Sequence, residues 1–216
     1  MSYDVGTVFN IRTFNKPVPH VEISDLVSSG VTIHSIDKDT EILARTYNKH
    51  LGWFVVEGTV KFFTKTKEGV QQEWIVHEGE VLISPKDIPF GCYTMTPSIM
   101  SEVEMGAKVE STCVEVGKVF NIEDLVNCPS CKVPMYPLFV SGFVKMHILK
   151  VGAGKSYPLL AGGEVVLRCV SGNAIILYEG KERPIHKDEY FRFLEGQEIE
   201  IQAEDCFIAS ILTKMN

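Results

Sequence analysis

Apolar residues come along this chain in short bursts rather than long stripes. Trp53-Phe54-Val55-Val56 is β-branched and aromatic and stops at Glu57-Gly58. From Val60 to Thr64 apolar residues mix with lysine. Glu73-Trp74-Ile75-Val76 runs into a turn at Glu78-Gly79, and Val81-Leu82-Ile83 follows. Short β-rich runs split by glycine and proline turns predict the strands of a sandwich or barrel. Helical periodicity is never sustained. Only Ile11 to Val27, Ile122 to Val126 and a few turns read as helical. An all-β unit of this kind needs two sheets or a closed barrel to protect its edges.

The bursts occur twice. Gly6-Thr7-Val8-Phe9-Asn10-Ile11 returns as Gly117-Lys118-Val119-Phe120-Asn121-Ile122. Val31-Thr32-Ile33-His34 returns as Val144-Lys145-Met146-His147. Val55-Val56-Glu57-Gly58 parallels Cys169-Val170-Ser171-Gly172, and His77-Glu78-Gly79-Glu80 parallels His186-Lys187-Asp188-Glu189. Four blocks in one order, shifted by 111, 113, 114 and 109 residues, point to an internal repeat with small loop insertions. The chain is therefore expected to form two units, 1–116 and 117–216. Each opens with a proline-punctuated arm, Asn10 to Ser29 and Asn121 to Ser141.

The phrase Val56-Glu57-Gly58-Thr59-Val60, a strand, and then Glu78-Gly79-Glu80-Val81-Leu82-Ile83-Ser84-Pro85 resembles a cupin. Ile88-Pro89-Phe90-Gly91 looks like the proline-x-glycine turn of the second cupin motif. In the second half Val170-Ser171-Gly172-Asn173-Ala174 and His186-Lys187-Asp188-Glu189-Tyr190-Phe191 match in the same way. Cys206 to Ile211 looks like the last barrel strand. This half is also similar to the C-terminal cupin of mannose-6-phosphate isomerases. The resemblance implies an all-β chain of two tandem cupin (jelly-roll-like) barrels with short helical or loop arms, a bicupin. It also makes a homodimer plausible. It does not choose a chemistry, because the barrel hosts many.

A metal-binding cupin carries His-x-His, three or four residues, Glu, six residues, Gly, and a further His three past the proline-x-glycine turn. Counting back from Gly58 puts Leu51 at the Glu position. The His pair falls on Arg45 and Tyr47, or on Ala44 and Thr46 with the longer spacer. Thr94 stands three past Gly91. In the second half Val165, Leu159 and Ala161 take these positions, and Leu194-Glu195-Gly196-Gln197 replaces the turn. Apart from the Tyr47 phenol, none is a usual transition-metal ligand. No metal and no cofactor are expected. His50 would enter the first pocket if its strand carried a bulge, and His34 and His77 only by accident of fold.

If the pattern positions face inward, Arg45, Tyr47, Leu51, Trp53 and Val55 line the first barrel. Lys49 and His50 then lie at its mouth, with Tyr93 and Thr94 opposite. A guanidinium above an aromatic wall suits a carboxylate or phosphate. The second set, Leu159, Ala161, Val165 and Leu167, is wholly apolar and reads as filled core. For Arg45 a solvated rim charge is the competing reading; for Tyr47 and Trp53 it is plain packing.

The net charge of −7 argues against nucleic acid and against anionic membrane surfaces. No apolar run is long enough for a membrane span. The N-terminus Met-Ser-Tyr-Asp-Val-Gly lacks signal-peptide character, so a cytoplasmic protein with free thiols is expected. Cys128-Pro129-Ser130-Cys131 is half of a zinc site without its other half. Gly152-Ala153-Gly154-Lys155-Ser156 fails as a phosphate loop, because Tyr157-Pro158 forbids the helix that should follow.

The reading is a noncatalytic binder of a small, anionic or sugar-like molecule. A metal-free sugar isomerase or epimerase is the alternative, with Tyr47 and His50 exchanging protons. A metal-dependent dioxygenase or isomerase with displaced ligands comes third.

Overall fold

The structure, a computed structural model, describes residues 3–17, 22–25, 31–111, 113–126 and 134–215. The Cys128–Cys131 pair lies outside the described residues. The chain forms two compact units: Arg12–Glu110 with Val114–Asn121, and Ser2–Ile11 with Ser111–Cys113 and Ile122–Asn216. The segments Ser2–Ile11 and Val114–Asn121, which lead into the two arms, are each grouped with the other half of the chain. Val8 and Phe9 pair with Phe191 and Tyr190 of the second unit. Val119, Phe120 and Asn121 pair with Leu82, Val81 and Glu80 of the first.

In the first unit a six-stranded sheet runs in the order Val119–Asn121, Glu80–Ile83, His50–Glu57, Ser98–Gly106, Val31–Ile36, Glu22–Asp25. A four-stranded sheet runs Glu41–Thr46, Pro89–Thr94, Thr59–Thr66, Gly69–His77. In the second unit one sheet runs Val8–Phe9, Tyr190–Phe193, Glu164–Ser171, Phe207–Lys214, Val144–Val151, Met135–Ser141. Its companion runs Ser156–Leu160, Glu198–Ala203, Ala174–Tyr178, Lys181–Ile185. Every strand pairing described above is antiparallel. The alternating bursts of the sequence are these strands, each turning every second side chain onto an inner face.

The inner face of the first unit gathers Ile36, Leu51, Trp53, Val55, Phe62, Trp74, Leu82, Phe90, Cys92 and Met100 into one buried cluster. That of the second gathers Leu149, Leu159, Ala161, Val165, Leu167, Ile176, Phe191, Phe193 and Ile199, among others. The four residues expected to fill the second interior are all in it. Among the described residues no helix is long and apolar enough to cross a membrane.

Two local expectations fail. Helix is found at Ile11–Phe14 and Ile122–Val126, but not on to Val27; Glu22–Asp25 is a strand. Pro17 explains the early stop, since a proline pushes the residue before it out of helical backbone. The proline-x-glycine turn also lies elsewhere. Pro89–Thr94 is a strand, with Gly91 inside it. Gly91 is glycine because a Cβ there would meet the Ile42 carbonyl oxygen at 2.6 Å, where the neighbouring strand bulges between Ile42 and Arg45. The tight turn is at Pro85-Lys86-Asp87, with Asp87 at φ 61, a conformation aspartate tolerates better than most residues. The residue three past it is Phe90, not Thr94.

Two buried thiols make a simple check on the cores. Burial first, and then Glu102, pushes the Cys92 thiol up to about 12. Burial, then Asp188 and Glu189, pushes Cys169 up to about 12. A thiol held protonated is inert to alkylation. Brief iodoacetamide treatment of the native protein at mildly alkaline pH is expected to modify exposed Cys206 and leave Cys92 and Cys169 intact by peptide mass spectrometry. The native state keeps protons that the unfolded chain gives up from 9.0 onward. These two groups therefore lower stability as pH rises from 9.0 toward about 12.

Candidate functional site

The polar residues of the first unit's inner face collect at one place. Arg45 pairs in register with Phe90, so it shares the inner face, yet it is exposed at the rim. Its guanidinium makes no hydrogen bond or ion pair with any described residue. Tyr47 packs on the aromatic cluster. Burial first, then the Glu102 carboxylate, pushes its phenol up, while nearby Arg45 pulls it down. Trp53 lies beneath, with ring centroids 5.4 Å from Phe62 and 6.2 Å from Phe90. What these rings leave open is about 10 Å³, lined by Ile42, Tyr47, Trp53, Phe62 and Phe90. That is barely room for one water. A ligand of any size would sit at the mouth, above the rings.

The strand Ser98–Gly106 adds a residue that the sequence reading missed. Glu102 pairs in register with Trp53 and Thr32, on the inner face. Its Oε2 is 2.9 Å from His34 Nε2. A carboxylate accepts, so Nε2 carries a proton, and in the neutral ring Nδ1 presents a lone pair. The His34 ring lies 5.7 Å from Trp53. Both His34 Nδ1 and Trp53 Nε1 are buried without a hydrogen-bond partner. Two polar atoms left unmatched on neighbouring rings call for an explanation, and a bound polar group is one. Glu102 gave no signal in the sequence because its strand carries no repeat block; only the strand pairing brings it to His34.

The other expected site residues go elsewhere. Lys49 is paired with Glu104 near the same mouth. His50 alternates onto the face opposite Leu51 and Trp53, and its Nδ1 donates to the Ser84 carbonyl at 2.8 Å. It does not enter the interior. Tyr93 stands on the outer face, where its hydroxyl donates to Asp39 Oδ1 at 2.7 Å. Thr94 is buried, and its hydroxyl donates to the Asp37 carbonyl at 2.6 Å, closing a turn. Both follow from the turn lying four residues earlier than expected. His77 is held by Thr59 in an exposed setting. The structure thus brings together Arg45, Tyr47 and Trp53 with His34 and Glu102.

With the turn corrected, the positions that would hold a cupin metal are Arg45, Tyr47, Leu51 and Phe90. A cation, a phenol and two hydrocarbons do not fit a divalent metal. Among the described residues no group of three or more His, Cys, Asp or Glu is gathered so as to hold one. In the second unit the matching residues are Leu159, Ala161, Val165 and Ile199, all in the apolar core. His147 is half-buried there, and burial, then Lys145, pushes its imidazole below the usual value.

No protein-family model matches the chain, and no curated protein matches by sequence. Solved structures do match. A cupin 2 conserved barrel domain protein from Leptotrichia buccalis superposes with a TM-score of 0.83 at 17% identity, over 100% of both chains. A salicylate 1,2-dioxygenase variant from Pseudoaminobacter salicylatoxidans gives 0.69 at 12% identity, covering 99% of this chain and 84% of that one. The protein Ylba from E. coli gives 0.63 at 12% identity, covering 98% and 92%. At such identities the likeness speaks for the backbone alone, and on that evidence this chain has the cupin fold.

Proposed function

We propose that the chain is a bicupin whose first unit binds a small anionic molecule at the mouth of its interior, without a metal of the usual cupin kind. The observation that carries this is Arg45. It is a guanidinium on the rim of the inner face, beside Tyr47, with no hydrogen bond or ion pair to any described residue. Planar donors of this kind select carboxylates and phosphates through paired hydrogen bonds. One structural neighbour is a salicylate 1,2-dioxygenase, named for a carboxylate. The second unit, filled by hydrocarbon, serves as scaffold.

The test is calorimetric titration with salicylate, other small carboxylates and sugar phosphates, on wild type and Arg45→Ala. One of these anions is expected to bind, and the variant to bind it roughly tenfold or more weakly, from loss of a charged hydrogen-bonding group. Equal binding by the variant sinks the proposal. So does binding that disappears with a chelator and returns with a metal.

A second reading is favoured by the His34–Glu102 pair. A carboxylate that sets the tautomer of an imidazole leaves a base ready at Nδ1. In a metal-free isomerase or epimerase, His34 would then take the role first given to His50, and Tyr47 would return the proton. Deuterium uptake from D2O at a carbon of the bound ligand, lost in His34→Gln, would put this reading ahead of the noncatalytic one.

A further inference from the structure

We propose that the first unit carries a second site, a cleft beside Trp74 that binds a neutral polyhydroxylated molecule, a sugar or polyol of up to disaccharide size. The cleft measures about 580 Å³. That falls within the roughly 300–1,000 Å³ of small-molecule sites. Arg45 does not line it; in the sheet Phe90 stands in register between Arg45 and Thr64. Trp74 lines the cleft, Phe90 lines the small cavity under Tyr47, and the two rings touch at 6.0 Å.

Its lining states what it would take. Thr64 is 4% exposed, lines the cleft, and has no hydrogen-bond partner for its hydroxyl among the described residues. The residue is buried, but its oxygen is not sealed off from the cleft, so the hydroxyl can meet a ligand there. Gln72 lies directly across from Thr64 in register, on the same face. Its amide offers both donors and an acceptor, and it too is unpaired among the described residues. The charged residues of the lining are Lys118 and Glu115, and they neutralise each other at 2.7 Å. An anion would therefore find no free cation. Thr66 and Gln71 also line it, but the Thr66 hydroxyl donates to Glu68 and the Gln71 amide to the Gly69 carbonyl. Pro85, Ile88, Val116 and the indole of Trp74 supply the apolar part. That indole donates its N–H to the Gly117 carbonyl at 2.7 Å, which fixes the ring and leaves only its hydrocarbon surface to offer. A hydrocarbon ligand would strand the Thr64 hydroxyl and the Gln72 amide. A molecule with hydroxyls on its edges and C–H groups on its face satisfies both kinds of lining.

The test is saturation-transfer NMR on the full chain with glucose, mannitol and maltose, in wild type, Thr64→Val, Gln72→Leu and Arg45→Ala. At least one of the three is expected to give a signal. Thr64→Val and Gln72→Leu should each weaken it about fivefold or more, the effect of one hydrogen bond. Arg45→Ala should leave it unchanged, and salicylate should not compete. Thr64→Val is expected to melt no lower than wild type, because a methyl replaces a hydroxyl that bonds none of the described residues. Gln72 is exposed, so its variant is read even if the core variant fails to fold. No signal from any of the three, or wild-type binding in both variants, overturns the proposal. Competition by salicylate overturns it too, since the ligand would then be at the anion mouth.

Discussion

Phe90→Ala is expected to cost the first unit about 3–5 kcal/mol, the range for removing a fully packed aromatic ring. Phe90 is 2% exposed and central to the cluster. Its ring centroid lies 6.2 Å from Trp53, 5.5 Å from Phe62 and 6.0 Å from Trp74. None of those rings can collapse into the gap without leaving its own partners, so most of the cavity would persist. Urea unfolding followed by tryptophan emission is the measurement. The protein has two tryptophans, Trp53 and Trp74, and both belong to the first unit. Phe90→Leu, which keeps most of the volume, should lose roughly 1–2 kcal/mol. An alanine variant within about 1 kcal/mol of wild type would mean the ring is not the plug described here.

That plug also bears on function. Phe90 stands where the cupin pattern would place a metal ligand, and with Leu51 it turns that position into core. The first interior then keeps only about 10 Å³ open, with Arg45 exposed at the rim and His34 buried. The second unit makes the same exchange with Leu159, Ala161, Val165 and Ile199.

Much of the fold was legible because it is local. The bursts at 53–56, 60–64 and 81–83 are strands, since alternation reports directly on which face is buried. The apolar second interior followed from the same alternation. The site was harder. Arg45, Tyr47 and Trp53 were found because they lie on two consecutive strands and the segment between them, at a known spacing. Glu102 was missed, because its partner His34 is 68 residues away and only strand pairing brings them together. Tyr93 and Thr94 were misplaced by one decision, the choice of Gly91 as the turn glycine. The true turn has Asp87, which no glycine-based pattern finds. His50 was left open in the sequence, and a single hydrogen bond to the Ser84 carbonyl decides its direction.

Removing one half of the Arg168–Asp188 pair is the other change expected to have a large effect, this time in the second unit. The Arg168 guanidinium donates to Asp188 Oδ1 at 2.8 Å, with the side chains 13% and 18% exposed. It lies 6.0 Å over the Tyr190 ring. Asp188 also makes the turn between Lys181–Ile185 and Tyr190–Phe193, at φ 64, and its amide donates to the Cys169 carbonyl at 2.9 Å. Two roles therefore sit on one residue, and two substitutions separate them. Asp188→Asn keeps a side chain that tolerates the left-handed backbone and removes the charge. It leaves a nearly buried guanidinium unpaired, at a cost of about 3 kcal/mol, the low end for such a pair because some solvent reaches it. Asp188→Gly relieves the backbone fully and still loses the charge, so it should destabilise to a similar extent. Arg168→Leu combined with Asp188→Asn should recover most of the loss, since a buried pair is worth little against hydrocarbon of like volume. Thermal and urea unfolding of wild type and these three variants is the measurement, and adding Arg168→Leu alone closes the double-mutant cycle. If Asp188→Gly is as stable as wild type while Asp188→Asn is not, the turn rather than the ion pair is what Asp188 supplies.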